Sequence, residues 1–557
     1  SMKSSLYLFW QRVCHSSLSP LEVLTCLLLS FLLGQTIIHQ ASIDTDMAVN
    51  LSTALALLDG SRLYLDNFNP AWPPALFLIL PAAALARALH IYPVLFLKLF
   101  FYLLACLAIL AMMWGVRLRR ATALESCLLP LAAPFSAAFL LLTSAQFMGL
   151  ENFPNGGQFF PLMVLPLLIL QAKDNSAPET PPALSALTYF LAAVAICFEP
   201  SFVLYYLLIV SFADLRNLKR NCLPLLLPAL LLLIFAVSYE GAWQNYLDWS
   251  VLINQLNFLG FNDYLYWMDK SPDLRKPVYG FVMLLVLSAP LLVRSALSRQ
   301  LAALACFGFA YFISSQTLLG QFTLPMLFFA GLSGLGALVF LCRVARLRGP
   351  LRKMRPLSRR LSARPAILVC LFLLAGSSLL QSLSREETVT IDDGAGTKAV
   401  VRCSDLSIFA RTVLNESRAG EPIYVYCWQA RPGFPLTAQL MRKTSRFPYL
   451  YPFMAFHHGG AEASACGVLN DPERLPKLES KFYSLLQAEL SAANRPALIF
   501  IEDGDIRQQF DDRGLVKLLD SDYSMLASFT FSPDERKGHP SFEYPGYMNA
   551  FAVFKHR

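Results

Sequence analysis

Charge is scarce in this chain. Of its 557 residues, 15% are Asp, Glu, Lys or Arg while 55% are hydrophobic. That excludes an ordinary soluble domain, where about a quarter of residues are charged, and it selects the membrane class. Metal-type cysteine spacing is also lacking: the twelve Cys include no CxxC pair. Nine of them lie between positions 14 and 370, mostly in apolar runs, and read as core thiols. Cys403, Cys427 and Cys466 stand in a polar region, where an oxidising compartment permits one disulfide and leaves one thiol over. The net charge of +8 does not imply a nucleic-acid partner, because Lys and Arg cluster in short stretches that follow apolar runs.

What is present is a series of apolar runs of membrane length. They fall near residues 21–39, 93–115, 124–145, 158–172, 182–198, 201–214, 223–239, 277–293, 300–317, 321–342 and 365–383, which gives about eleven transmembrane helices. The first is too long for a signal-peptide core and is expected to stay in the mature protein. A twelfth run, Pro74 to Leu89, is ambiguous, with a double proline at its start and Arg87 inside. If it does not span, the cytoplasmic segments hold Arg117, Arg119, Arg120, Lys173, Arg216, Lys219, Arg220, Arg294, Arg299 and nine more basic residues from Arg343 to Arg364. Outside that run, the opposite loops then hold only Arg62, Lys270, Arg275 and Lys276. The positive-inside rule therefore makes Pro74 to Leu89 an interfacial helix on the outer face. The N-terminus is then cytoplasmic and the C-terminal region periplasmic or extracellular, in an inner or plasma membrane. The basic stretch from Arg343 to Arg364 needs no role beyond holding the last cytoplasmic loop against anionic lipid.

The chain thus divides into a transmembrane part, residues 1–383, whose first outer loop occupies 40–92, and an extracytoplasmic part, 384–557. In the latter, β-rich runs at Lys398 to Val401, Pro422 to Trp428, Ala497 to Ile501 and Ala550 to Phe554 alternate with helical stretches at Asp405 to Glu416 and Leu475 to Ser491. This pattern predicts a small soluble α/β domain. It contains no GxGxxG, P-loop or GxSxG string. His457 and His458 are adjacent and point apart on regular structure, so they do not make a metal pair.

The first outer loop carries the chemistry-bearing residues. From Met47 to Leu58 the apolar spacing is helical, Gly60 ends it, and Asp46 stands at its start. Two carboxylates, Asp44 and Asp46, are thus set beside an amphipathic helix at headgroup height. A base acting on a lipid-linked substrate needs that place, whereas the plain alternative is an N-cap at Asp46 and a solvated Asp44. The two acids also have the oxygen chemistry of a divalent-cation site, although no cofactor is required by the pattern.

Asp46, Gly60, Tyr64-Leu65-Asp66 and Pro73-Pro74 follow one another in this loop. In that order the sequence resembles the GT-C glycosyltransferases, which use polyprenyl-phosphate sugars, in particular the dolichyl-phosphate-mannose-type and lipid A aminoarabinose-type members. The resemblance covers the topology of the membrane part, and in detail only residues from about Asp44 to Leu80. It implies a GT-C-like fold and an inverting glycosyltransferase that moves a sugar from a polyprenyl-phosphate donor to a lipid, glycan or protein acceptor on the outer face. It further implies that Asp46 is the general base, with Asp44 as the alternative. A second acid is expected from the next outer loop, where Glu151 is the one carboxylate; the helix after it opens with GGQFF in place of the family's Arg-Glu-His-like string.

Lys98, near the outer end of the second span, is placed to neutralise the donor's phosphate or else to snorkel. Glu199, before Pro200 in a tight outer turn, reads as a supporting group around substrate or as an exposed loop acid. Tyr64 and Asp66 share that supporting position. The loop from Glu240 to Lys276 mixes aromatic residues, among them Trp243, Trp249 and Trp267, with Asp263 and Asp269. Such a mixture is either an interfacial belt in contact with membrane lipids or a sugar-binding lid. Two other classes compete: a non-catalytic scaffold or lipid-linked-substrate transporter with an outer partner-binding domain, and an oligosaccharide ligase or polymerase. The sequence has no WWDYG-like string, and it lacks the internal repeat and midplane charges expected of a transporter.

Overall fold

The computed structural model describes residues 19–39, 43–69, 71–118, 125–144, 154–171, 180–212, 218–248, 272–292, 295–314, 323–348, 363–383, 386–404, 408–426, 437–438, 440–447, 474–491, 495–502, 504–530 and 550–557. Each expected span coincides with a helix. These are α1 (Pro20–His39), α4 (Pro93–Leu118), α5 (Glu125–Ser144), α6 (Gly156–Gln171), α7 (Pro182–Ile196), α8 (Pro200–Ser211), α9 (Leu218–Ser238), α11 (Pro272–Leu292), α12 (Ala296–Ser314), α13 (Leu324–Arg348) and α14 (Ala363–Leu383). The segment between α1 and α4 supplies α2 (Thr45–Leu58) and α3 (Pro73–Ala88), and α10 (Ala242–Tyr246) follows α9. Proline opens many of these helices, where its missing N–H is one of the donors a helix start leaves unbonded anyway.

Among the described residues six helices are long and apolar enough to cross a membrane: Pro93–Leu118, Glu125–Thr143, Leu218–Ser238, Arg275–Leu292, Ala296–Ile313 and Leu324–Val344. The chain is a polytopic α-helical membrane protein. Helix α5 runs through the middle of the bundle and packs against α1, α4, α13 and α14. Its approach to α13 is close enough that a Cβ on Gly336 would lie 2.6 Å from Leu128 Cδ1. Small residues allow such contact where lipid gives helices no hydrophobic reason to associate. On the outside, Leu230, Leu233 and Val237 of α9 and Val282, Met283 and Val286 of α11 are exposed. Apolar surface of that extent is rare on water-soluble proteins and suits a bilayer. In α3, Arg87 forms an ion pair with Asp59 just past the end of α2, so the charge inside that apolar run has a partner.

After Leu383 the structure changes to sheet and helix, as the composition predicts. A hairpin pairs β1 (Glu386–Asp392) with β2 (Lys398–Ser404). A four-stranded sheet has the order β3 (Ile423–Tyr426), β4 (Leu498–Glu502), β6 (Ala550–His556), β5 (Tyr523–Thr530). Strands β3 and β4 are parallel and the other pairs antiparallel. Strand β4, LIFIE, is buried at every position, as a central strand covered on both faces requires. Helices α15 (Ile408–Glu416) and α16 (Arg474–Leu490) match the expected stretches. Strands β1 and β5 and helices α17 (Asp505–Asp512) and α18 (Leu515–Asp522) have no counterpart in the sequence reading. Their apolar runs are short.

This region clasps the first outer loop. Phe68 lies in its hydrophobic core, where its ring stacks on Phe447 at 5.1 Å and 5°, and its backbone N–H donates to Arg446 O at 3.0 Å. Beneath that contact Glu489 is buried and accepts from Tyr426 Oη at 3.1 Å, Ser445 Oγ at 2.8 Å and Arg446 N at 2.8 Å. Arg446 is ion-paired there, its Nε 3.7 Å from Glu489 Oε1. Lys481 Nζ donates to Asn245 Oδ1 at 2.9 Å and Asn245 Nδ2 to Tyr64 O at 2.9 Å, which ties in the segment around α10. Phe447→Ala is expected to lower stability by about 3 kcal/mol, as for other buried Phe truncations. Thermal unfolding in detergent reads that loss, and limited proteolysis reads the accompanying opening of residues 61–69.

Candidate active site

The start of α2 differs from the sequence expectation. Asp44, not Asp46, is the N-cap: its Oδ1 accepts from Asp46 N at 3.1 Å and Met47 N at 3.2 Å. The cap must lie one residue before the first helical position, so that its side chain can reach back to the unbonded N–H groups of the first turn. The helix begins at Thr45, and this register makes Asp44 the cap. Asp44 is also not solvated, being 3% exposed. Its second oxygen, Oδ2, accepts from Asn155 Nδ2 at 3.1 Å. Asn155 caps α6 in turn, its Oδ1 accepting from Gly157 N at 2.8 Å. One side-chain hydrogen bond therefore joins two helix N-termini, both of which favour negative charge. Asp46 stands in the first turn of α2 with its side chain exposed and no capping duty.

Glu199 and Lys98 complete the group. Glu199 occupies the N-cap position of α8 but makes no cap bond; its Oε2 accepts from Ser201 Oγ at 3.1 Å. It is partly accessible yet enclosed by protein. Burial first, and then the charges of Asp46 and Asp44, push its carboxyl up to about 8. Lys98, in the second turn of α4, is 2% exposed. It precedes Phe101 by three residues, and the Phe101 ring packs on Phe198, next to Glu199, at 5.4 Å. Lys98 therefore shares a helix face with the residue that touches the Glu199 turn.

Two buried polar groups near these residues have no hydrogen-bond partner among the described residues: both side-chain polar atoms of Gln158 and the hydroxyl of Tyr205. Gln158 stands one turn along α6 from Asn155, and Tyr205 is within electrostatic reach of Glu199. A buried polar group without a partner costs about 1–3 kcal/mol. Such groups mark places where a ligand completes the bonding.

A polar ladder that sequence reasoning missed holds the loop against α2. Asn69 Nδ2 donates to Asn50 Oδ1 at 2.9 Å and Thr53 Oγ1 at 3.0 Å, and Thr53 Oγ1 donates to Asn67 Oδ1 at 3.3 Å. The only trace in the sequence is that Asn50 and Thr53 fall three apart on the helix, a spacing that places two residues on one face. Tyr64 is fully buried against Phe235 and Tyr246, in the left-handed region at φ 59°, and its hydroxyl bonds to Ala71 O. Asp66 is paired with Arg62 at 2.9 Å, and that guanidinium holds its carboxyl below the ordinary range. Trp243 is partly exposed and packs on Phe235 and Tyr246. Glu151, Trp249, Asp263, Trp267 and Asp269 lie outside the described residues, as do His457, His458, Cys427 and Cys466. Among the described residues no group of three His, Cys, Asp or Glu side chains is arranged to hold a metal ion.

Fold and site together define a polytopic helical membrane protein in which Asp44, Asp46 and Glu199 come together where helices begin. No protein-family model matches the chain, and no curated protein matches it. Among solved structures, the crystal structure of ArnT from Cupriavidus metallidurans bound to undecaprenyl phosphate is similar over 96% of this chain and 97% of that one, at 12% identity and a TM-score of 0.45.

Asp44→Ala is expected to lower stability by about 2 kcal/mol, the upper range for a lost cap, because the Asn155 bond is lost as well. Asp44→Asn, which keeps an acceptor, is expected to lose less, and thermal unfolding separates the two. Glu199 also gives a pH dependence. The native carboxyl keeps a proton that the unfolded chain releases above its ordinary 4.5, so stability falls as pH rises from about 4.5 to about 8. Glu199→Gln is expected to flatten that decline in melting curves taken across this window.

Proposed function

We propose that the chain is an inverting glycosyltransferase that moves a sugar from a polyprenyl-phosphate donor to an acceptor on the outer face of the membrane. The observation that carries the reading is the division of labour between the two aspartates. Asp44 is buried and occupied as the cap and the Asn155 partner, while Asp46 is exposed two residues on, within electrostatic reach of Glu199. The sequence order Asp46, Gly60, Tyr64-Leu65-Asp66, Pro73-Pro74, which resembles the GT-C pattern, supports the same reading. The Arg87–Asp59 pair suits an α3 that lies at the interface and does not span. With α3 outside the spans, the charge asymmetry sets the N-terminus in the cytoplasm and the C-terminal region outside, on the same face as Asp46.

In this mechanism the Asp46 carboxylate takes the proton of the acceptor hydroxyl as its oxygen attacks the sugar's anomeric carbon. The bond from that carbon to the phosphate oxygen breaks on the opposite face, so the configuration inverts. The electron pair leaves with the polyprenyl phosphate, and the Lys98 ammonium offsets the negative charge that develops there. Asp44 takes no proton; it fixes the start of α2 and therefore the place of Asp46. The α/β region above the loop keeps bulk water from the lipid-fed recess.

Full-length protein in proteoliposomes made from native membrane lipid extract supplies its own donor pool, and mass spectrometry follows the polyprenyl phosphate released. Asp46→Asn is expected to cut that release by about 10²-fold or more while binding of undecaprenyl phosphate is kept. Lys98→Met is expected to weaken the binding itself. Full release by Asp46→Asn would remove the assignment of the base.

A further inference from the structure

We infer that Glu199 is the hydrogen-bond donor of the recess and grips an oxygen of the anionic lipid-linked donor's head group, leaving Asp46 as the base. This rests on the glycosyltransferase reading and assigns Glu199 a task within it. The geometry comes first. A residue at the N-cap position ordinarily accepts from the backbone N–H groups of its own first turn, and Glu199 makes no such bond. Its carboxyl is directed to Ser201, whose hydroxyl Tyr311 of α12 also engages. Facing it are Asp44 and Asp46 from α2 and Tyr205 from α8 itself. Helix α4 brings Lys98 on the face of Phe101, and α6 brings the neutral Asn155 and Gln158. From α7 comes Cys197, whose thiol bonds to Ala193 O.

Two aspartates already stand near Glu199, and an ionised Glu199 would be a third negative charge where a phosphate must enter. As the acid, Glu199 adds an O–H to the Lys98 ammonium and to the unpartnered Gln158 amide and Tyr205 hydroxyl. That set of donors suits an oxygen-rich anion. Burial and the neighbouring aspartates keep Glu199 in this form at neutral pH, as its value of about 8 reflects. The arrangement makes donor affinity fall as Glu199 ionises.

Binding of undecaprenyl phosphate by the full-length protein tests this without turnover, so its outcome does not depend on Asp46. Wild-type affinity is expected to weaken about tenfold as pH rises from about 7 to about 9, the loss of one hydrogen bond plus the added charge. Glu199→Gln keeps an N–H donor and cannot ionise, so it is expected to bind with nearly constant affinity over that range; Glu199→Ala is expected to bind weakly at every pH. Infrared spectra at pH about 7 are expected to show a protonated-carboxyl band that Glu199→Gln lacks. A pH dependence shared by wild type and Glu199→Gln would belong to the phosphate itself and would overturn the inference. A wild-type spectrum without the band would overturn it as well.

Discussion

The bond from Asn155 to Asp44 joins two helix starts that lie 111 residues apart in the chain, and the arrangement of the outer end depends on it. Each partner also caps its own helix, so the bond fixes position and direction together. A buried carboxylate needs this: with one oxygen on two backbone N–H groups and the other on an amide, Asp44 meets donors on both sides. Because the cap sets where α2 begins, it also sets where Asp46 stands. The same register turns the Asn50 and Thr53 face toward Asn67 and Asn69, so the loop beyond α2 is held from the helix outward.

The second constraint comes from the other end of the chain. Phe68, from the loop between α2 and α3, enters the core of the α/β region. Buried Glu489 organises the receiving side by gathering Tyr426, Ser445 and Arg446 around one carboxylate. The loop is thus held by the α2 ladder on one side and by the Phe68–Phe447 stack on the other. Functional groups carried on loops are otherwise on the most mobile part of a chain, so this double hold favours a fixed geometry.

Much of this was legible in the residues. Long apolar runs have few alternatives in lipid, where each backbone group must be bonded within its own segment, and every expected span coincides with a helix. The turn to sheet and helix after Leu383 follows from an equally plain shift in composition. The start of α2 was misread by two residues, because Asp44 and Asp46 are chemically alike and the choice between them is made by Asn155. Strand β5 is not legible for a similar reason, since it is short and draws its stability from β6, about twenty residues further on.

By itself, then, the sequence determined the membrane class, the order of the helices and the presence of acids in the first outer loop, all of which depend on solvation of nearby residues. Tertiary structure decided what each acid is able to do. Asp44 became a structural cap, Asp46 kept an exposed carboxylate, and Glu199 was enclosed near both. The physical reason is that a carboxyl group's protonation and hydrogen bonding are set by dielectric surroundings and by charges a few ångströms away. Those neighbours come from α2, α4, α6, α8 and α12, and only the packed bundle brings them together.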